Sequence, residues 1–161
     1  MQFQDKVVIV TGAGGGIGLA TARQFASEGA RVVIAEFDQA KGSAAERMLR
    51  DAGADALALR CDVASETEVK HVVDSAFDRH GRLDVIVNNA GTMIFKPIEA
   101  HSEADLLGVM RVDLSAPSGS PSTRSCAAGR ARRSSTSRAF TRSRRRLGWR
   151  RTRPPRPRSS R

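Results

Sequence analysis

The chain alternates between short, almost continuously apolar runs and longer stretches in which apolar residues return every three or four positions. Four runs stand out: "KVVIV" ending at Thr11-Gly12, "RVVIAEF", "DALALRCDV" and "LDVIVNNAG". Apolar side chains at successive positions predict strands covered on both faces, as in a parallel sheet under helices. The clearest helical stretch follows Ser65, where Val69, Val72, Val73, Ala76 and Phe77 repeat at i, i+3, i+4, i+7 and i+8. Ser65 with Glu68 three residues on predicts a capping box at its start, and Gly81 predicts its end. Four strands with three intervening helices give an α/β fold. Right-handed crossovers make it a Rossmann-like, doubly wound parallel sheet with strand order 3-2-1-4. No repeat of fixed period is present.

This pattern stops near Leu114, and composition shows why the chain there changes character. The whole chain carries a formal net charge of +10, which ordinarily points to a polyanionic partner. Up to Leu114, however, there are 12 lysines and arginines against 17 acids, a net of −5. The other 15 basic residues, all arginine, lie beyond it with no acid among them. Residues 1–114 are therefore expected to form one domain, a sheet truncated after about four strands. Residues 115–161, rich in arginine, serine and proline, hold too few large apolar groups to offset their ordering entropy and are expected to be disordered. The last predicted strand would then present an open apolar edge, an invitation to aggregate.

The N-terminal "MQFQDKVVIVTG" lacks the charged and apolar regions of a signal peptide. No apolar run approaches the ~18 residues of a membrane span. Cys61 and Cys126 fit neither a disulfide framework nor a zinc spacing, so a reducing, cytoplasmic setting is expected. His71, His80 and His101 have no partner at metal-ligand spacing and read as ordinary surface residues, and Cys61 as a small buried strand residue.

The sharpest chemistry is "TGAGGGIG", residues 11–18, placed after a strand and before a helix. Glycines there let the backbone approach a pyrophosphate, whose charge meets the helix N-terminus. Gly12, Gly14, Gly15, Gly16, Ile17 and Gly18 are the candidate contacts. The loop lacks the Gly-Lys-Ser/Thr of a nucleotide hydrolase, which disfavours that class. Glu36 ends the second strand, 18 residues after Gly18, where a carboxylate accepts hydrogen bonds from both adenosine ribose hydroxyls and repels a 2′-phosphate. NAD is the expected cofactor, in preference to NADP.

"TGAGGGIG", "CDV" (61–63) and "NNAG" (88–91), in this order, resemble the short-chain dehydrogenase/reductase family. The resemblance implies hydride transfer between a nicotinamide and an alcohol or carbonyl carbon. It also implies adenine recognition by Asp62 with Val63 beside it, cofactor contacts from Asn89, Ala90 and Gly91, and a structural role for Asn88. In "HSEADLLGVMRVDLSAP", Asp113 stands where the family has an asparagine that kinks a helix and holds a water of the proton relay.

The family's catalytic residues do not follow. The resemblance requires a tyrosine as general acid/base, a lysine that lowers its pKa, and a serine that positions the substrate oxygen. A free phenol, with a pKa around 10, is poorly ionised at neutral pH without a cationic neighbour. The chain contains no tyrosine, and no lysine beyond Lys96. No catalytic residue is assigned, Asp113 being the sole doubtful candidate.

The tail has two readings. One is a genuine basic segment that binds a polyanion, with Trp149 available for stacking on bases. The other is GC-rich coding DNA translated one base out of frame, by a natural shift or by sequencing. Codons permitted for "LGWRRTRPPRPRSSR" can be read one base over as a segment containing Tyr-Ala-Ala-Ser-Lys. The tyrosine codon would straddle Arg151 and Thr152, and the lysine codon Pro155 and Arg156. The same shift converts "RSSTSR" (133–138) into Ile-Val-Asn-Ile-Ser, which resembles the strand leading to the family's serine. Three functions stay open: an inactive, frameshifted NAD(P)-dependent dehydrogenase, a noncatalytic dinucleotide-binding module with a polyanion-binding tail, or an active enzyme using an unorthodox group such as Asp113.

Overall fold

The computed structural model of the chain describes residues 1–115. From residue 116 on, the expected disordered tail and its misread catalytic segment lie outside the described residues. The elements run β1 (Val7–Thr11), α1 (Gly16–Ser27), β2 (Arg31–Glu36), α2 (Gln39–Asp51), β3 (Ala56–Arg60), α3 (Glu66–His80), β4 (Val85–Val87) and α4 (Glu103–Met110). A 3-10 turn at Ile98–Ala100 precedes α4, and a π-helical turn, Arg111–Ser115, continues it.

The four strands form one parallel sheet in the order β3-β2-β1-β4, as the apolar runs predict. Side chains alternate between its faces. Val8, Val10, Val32 and Ile34 enter a core with Ala22 of α1 and Ala45 and Leu49 of α2. Val7, Ile9, Val33 and Ala35 enter a second core with Val72, Val73 and Ala76 of α3. Nearly all members of both cores are fully buried, each large side chain contributing about 1.5–3 kcal/mol. Two covered faces explain why these strands carry no polar alternation.

Three boundaries differ from the sequence pattern. β3 ends at Arg60, so Cys61, Asp62 and Val63 belong to the loop after it. β4 is only three residues long, and "NNAG" already lies in the turn beyond it. The capping box expected at Ser65 is half formed. Ser65 Oγ accepts the Glu68 N–H at 3.4 Å, but the Glu68 carboxylate reaches the Asp62 N–H instead, a stronger use of its charge. The full reciprocal box occurs at α4, between Ser102 and Asp105. Gly81 closes α3 in the left-handed region, φ 70°, as its position predicts.

At the entry to β4, the Asp84 carboxylate accepts the Val7 N–H at 3.0 Å and pairs with Lys6 and Arg82. Partial burial opposes ionisation there, but the Arg82 and Val7 hydrogen bonds prevail and hold the group below the usual carboxylate range. This anchor sets β4 against β1 at one end. Among the described residues β4 pairs with β1 alone, so its other edge has no strand partner there.

Candidate functional site

The site lies at the carboxyl ends of the strands, where a parallel sheet opens toward its loops. β1 delivers the chain to Gly12, whose φ of 64° favours glycine. The loop then turns into α1 at Gly16, φ 52°. A side chain at Gly18 would place its Cβ 2.2 Å from the Gly12 carbonyl oxygen and 2.5 Å from Asn89 Nδ2, so only glycine lets α1 pack this closely. Gly15 and Gly16, by contrast, face open space.

The N-terminus of α1 has no side-chain cap and no acid in its first turn. Its N–H donors and the positive end of its dipole are left for an external anion. Ile17, 80 % exposed, flanks that opening.

Glu36 closes one side of it. Its Oε2 accepts the Gly14 N–H at 2.8 Å and its Oε1 the Asp38 N–H at 3.2 Å. The carboxylate thus sits against the glycine loop, at the end of β2. Next to it Phe37 stands 63 % exposed, with the Arg60 guanidinium 5.3 Å from its ring centroid.

The loop after β3 is braced from α3. Glu68 Oε2 accepts both the Asp62 N–H at 2.8 Å and Arg60 Nη1 at 2.9 Å. The Asp62 hydrogen bond is the largest single influence holding the Glu68 carboxyl below its ordinary range; desolvation opposes it, and Arg60 adds to it. Asp62 itself accepts the Ala64 N–H through Oδ1 at 2.9 Å. Cys61 is buried beneath, and burial, reinforced by Glu68 and Asp62, pushes its thiol up to about 11.

The turn after β4 is tied to β1 by Thr11. Its hydroxyl oxygen accepts the N–H groups of Asn89 and Ala90, each at 3.0 Å, and its O–H donates to the Val87 carbonyl at 3.4 Å. Asn89 Nδ2 donates in return to the carbonyls of Thr11 and Gly12, at 3.0 and 3.2 Å. Asn89 thus braces the turn against the end of β1. Asn88 and Ala90 line a small apolar cavity of about 30 Å³ with Val63, Ile86 and Val112. Asp113, in the π-helical turn, accepts the Thr92 N–H at 2.9 Å, and a Cβ added to Gly91 would lie 3.4 Å from the same oxygen.

The structure therefore brings Gly12, Gly18 and Asn89 into close contact, and bonds Gly14 to Glu36. Asp62, Val63, Ala90 and Gly91 stand on the adjoining loops, and Asp113 behind Gly91. Sequence reasoning assigned no role of their own to Thr11 or Arg60, and gave Glu68 only the capping box at Ser65. The spacing of Glu68 from Ser65 pointed to a helix cap and so concealed its bond to Asp62.

The family model for short chain dehydrogenase matches residues 6–118. The chain belongs to this family. Among curated relatives, an uncharacterized oxidoreductase of Thermotoga maritima is 43% identical over 115 residues, 71% of this chain and 45% of that protein. The L-fucose dehydrogenase of Bos taurus is 48% identical over 90 residues, 56% of this chain and 32% of its own. Among solved structures, a metagenomic short-chain oxidoreductase in complex with NADP is 36% identical, with a TM-score of 0.70, over 75% of this chain and 55% of that one. A short chain dehydrogenase/reductase of Burkholderia phymatum in complex with NAD is 30% identical, with a TM-score of 0.71, over 75% and 43%. The chain spans less than half the length of these curated relatives. Among the described residues, no helix is long and apolar enough to cross a membrane.

Proposed function

We propose that residues 1–115 are the cofactor-binding half of an NAD-dependent oxidoreductase acting on an alcohol or carbonyl, and that the chain as written does not turn over. The observation that carries the reading is the uncapped N-terminus of α1, opening at Gly15 and Gly16 onto free space with the Glu36 carboxylate beside it.

These residues fit a dinucleotide. The α1 N–H groups would hold its pyrophosphate, Glu36 its adenosine ribose, and Asp62 with Val63 its adenine. Asn89, Ala90 and Gly91 would line the nicotinamide side. NAD, when bound, supplies the hydride-accepting ring. The Glu36 carboxylate favours free ribose hydroxyls over a 2′-phosphate by charge.

Proton transfer has no candidate group. No tyrosine exists in the sequence, and Asp113 already spends Oδ1 on the Thr92 N–H. We infer that the catalytic half lies one base out of frame beyond Leu114, in a protein of the cytoplasm. Sequencing the DNA across codons 114–125 tests this, an inserted or deleted base being the expected result. Calorimetric titration with NAD tests the cofactor reading: measurable binding is expected without oxidation of any alcohol in a panel. Absence of binding by folded protein overturns the reading, and brisk oxidation overturns the claim of lost catalysis.

A noncatalytic dinucleotide module with a polyanion-binding tail is the second reading, favoured by 15 arginines beyond Leu114 with no acid among them. Sequence-specific nucleic-acid retention that survives high salt would support it.

A further inference from the structure

Two basic side chains flank Glu36, and each is held by another carboxylate. Lys41 Nζ lies 3.7 Å from Asp38 Oδ2. Lys41 shares the wall beside Gly14 with Glu36, since a Cβ built on Gly14 would lie 2.8 Å from Lys41 Cβ and from Glu36 Oε2 alike. Arg60 is the register partner of Glu36 across the β2–β3 ladder. Its guanidinium stacks on Phe37, the residue after Glu36, and its Nη1 donates to Glu68 Oε2 at 2.9 Å.

We propose that Glu68 is a determinant of cofactor choice: by holding Arg60 against Phe37 it withholds from the adenosine ribose a guanidinium that would otherwise pair with a 2′-phosphate. This rests on the dinucleotide reading of the site.

The argument turns on how little one carboxylate excludes. Glu36 borders solvent, and at such a position the repulsion between a carboxylate and a phosphate is weakened by water and salt. A guanidinium in the neighbouring register binds a phosphate through two parallel hydrogen bonds and readily offsets that repulsion. Arg60 has the means to do so, its side chain being 50 % exposed and one strand away. What stops it is a prior commitment to Glu68.

Glu68 is well placed to keep that hold. The oxygen that takes Arg60 also takes the Asp62 N–H at 2.8 Å, so the carboxylate cannot swing into solvent without breaking a second bond. The same hydrogen bond holds the carboxyl below its ordinary range. Glu68 is thus a positioning residue that acts on the cofactor through Arg60, with no contact of its own.

The test uses the full chain and compares NAD with NADP by calorimetric titration. Glu68→Gln keeps an amide oxygen for the Asp62 N–H and removes the charge that holds Arg60. The ratio of NADP to NAD affinity is expected to rise about two- to fivefold, in keeping with the modest strength of a solvent-exposed pair. Adding Arg60→Ala to Glu68→Gln is expected to abolish the gain. Arg60→Ala alone is expected to leave the ratio unchanged, because Arg60 is already occupied. The arginines beyond Leu114 are common to every variant and cancel in the ratio. An unchanged ratio in Glu68→Gln, a gain that survives loss of Arg60, or a lowered ratio in Arg60→Ala overturns the proposal. If the unaltered chain binds neither dinucleotide, the cofactor reading itself fails and this inference falls with it.

Discussion

The hydroxyl oxygen of Thr11, at the end of β1, lies 3.0 Å from the backbone nitrogen of Asn89, in the turn after β4. It receives the Ala90 N–H at the same distance and donates to Val87. One side chain thus meets three backbone groups at the point where β4 stops.

Thr11→Val keeps the shape and removes those bonds. With partners left unsatisfied in a half-buried site, a loss of about 1–3 kcal/mol is expected. Chemical denaturation should read it as a lower midpoint with an unchanged slope. Thr11→Ser, which retains the hydroxyl, should recover most of the loss.

Gly18 and Gly15 should respond in opposite ways to alanine. At Gly18 the new methyl meets the Gly12 carbonyl and Asn89 Nδ2, both fixed by the loop. Overpacking of about 1–3 kcal/mol is expected, with dinucleotide affinity reduced at least about tenfold. At Gly15 the methyl enters open space and the backbone is extended, so stability should stay within about 0.5 kcal/mol. Thermal melts and titrations of the two variants separate these outcomes.

Cys61 should resist modification. Its thiol is buried and pushed up to about 11, so little thiolate exists at pH 8. In a Cys126→Ser background, a thiol reagent should react only when denaturant opens the fold. Rapid labelling of the native protein would contradict this placement.

His80 should make the fold acid-sensitive. Its side chain is 4 % exposed, and burial lowers its pKa below 6.5, an effect only partly opposed by Asp55 and aided by Arg79 and Arg31. The unfolded chain takes up a proton near 6.5 that the folded chain declines. The stability this group allows is therefore complete above about 6.5 and is lost as pH falls toward the lowered native value. Denaturation midpoints from pH 7.5 to 5 should fall, and His80→Asn should flatten that slope.

Much of this architecture was legible because the residues admit few alternatives. Val7–Val10 and Val32–Ile34 are apolar at every position, which only a sheet covered on both faces accommodates. Ser65 and Gly81 bracket α3 where their chemistry predicts. The positions of Gly12, Gly18 and Glu36 followed from the same local logic.

What escaped the sequence depends on distance in space. The π-helical turn at Arg111–Ser115 shifts hydrogen bonds without altering residue spacing, so no periodicity announces it. Thr11 is bonded to residues 76 to 79 positions away. The link from Arg60 to Glu68 and Phe37 depends on a loop geometry that composition does not encode.

The alternation of neighbouring strand residues between two separate cores has a consequence for how this protein can diverge. Val8 and Ile34 answer to α1 and α2, whereas Ile9 and Val33 answer to α3. Paired replacements on opposite sides of the sheet should therefore couple less than those on one side, sharing only the backbone between them. The layer beneath the glycine loop and the layer carrying α3 are in that sense separable within a single chain.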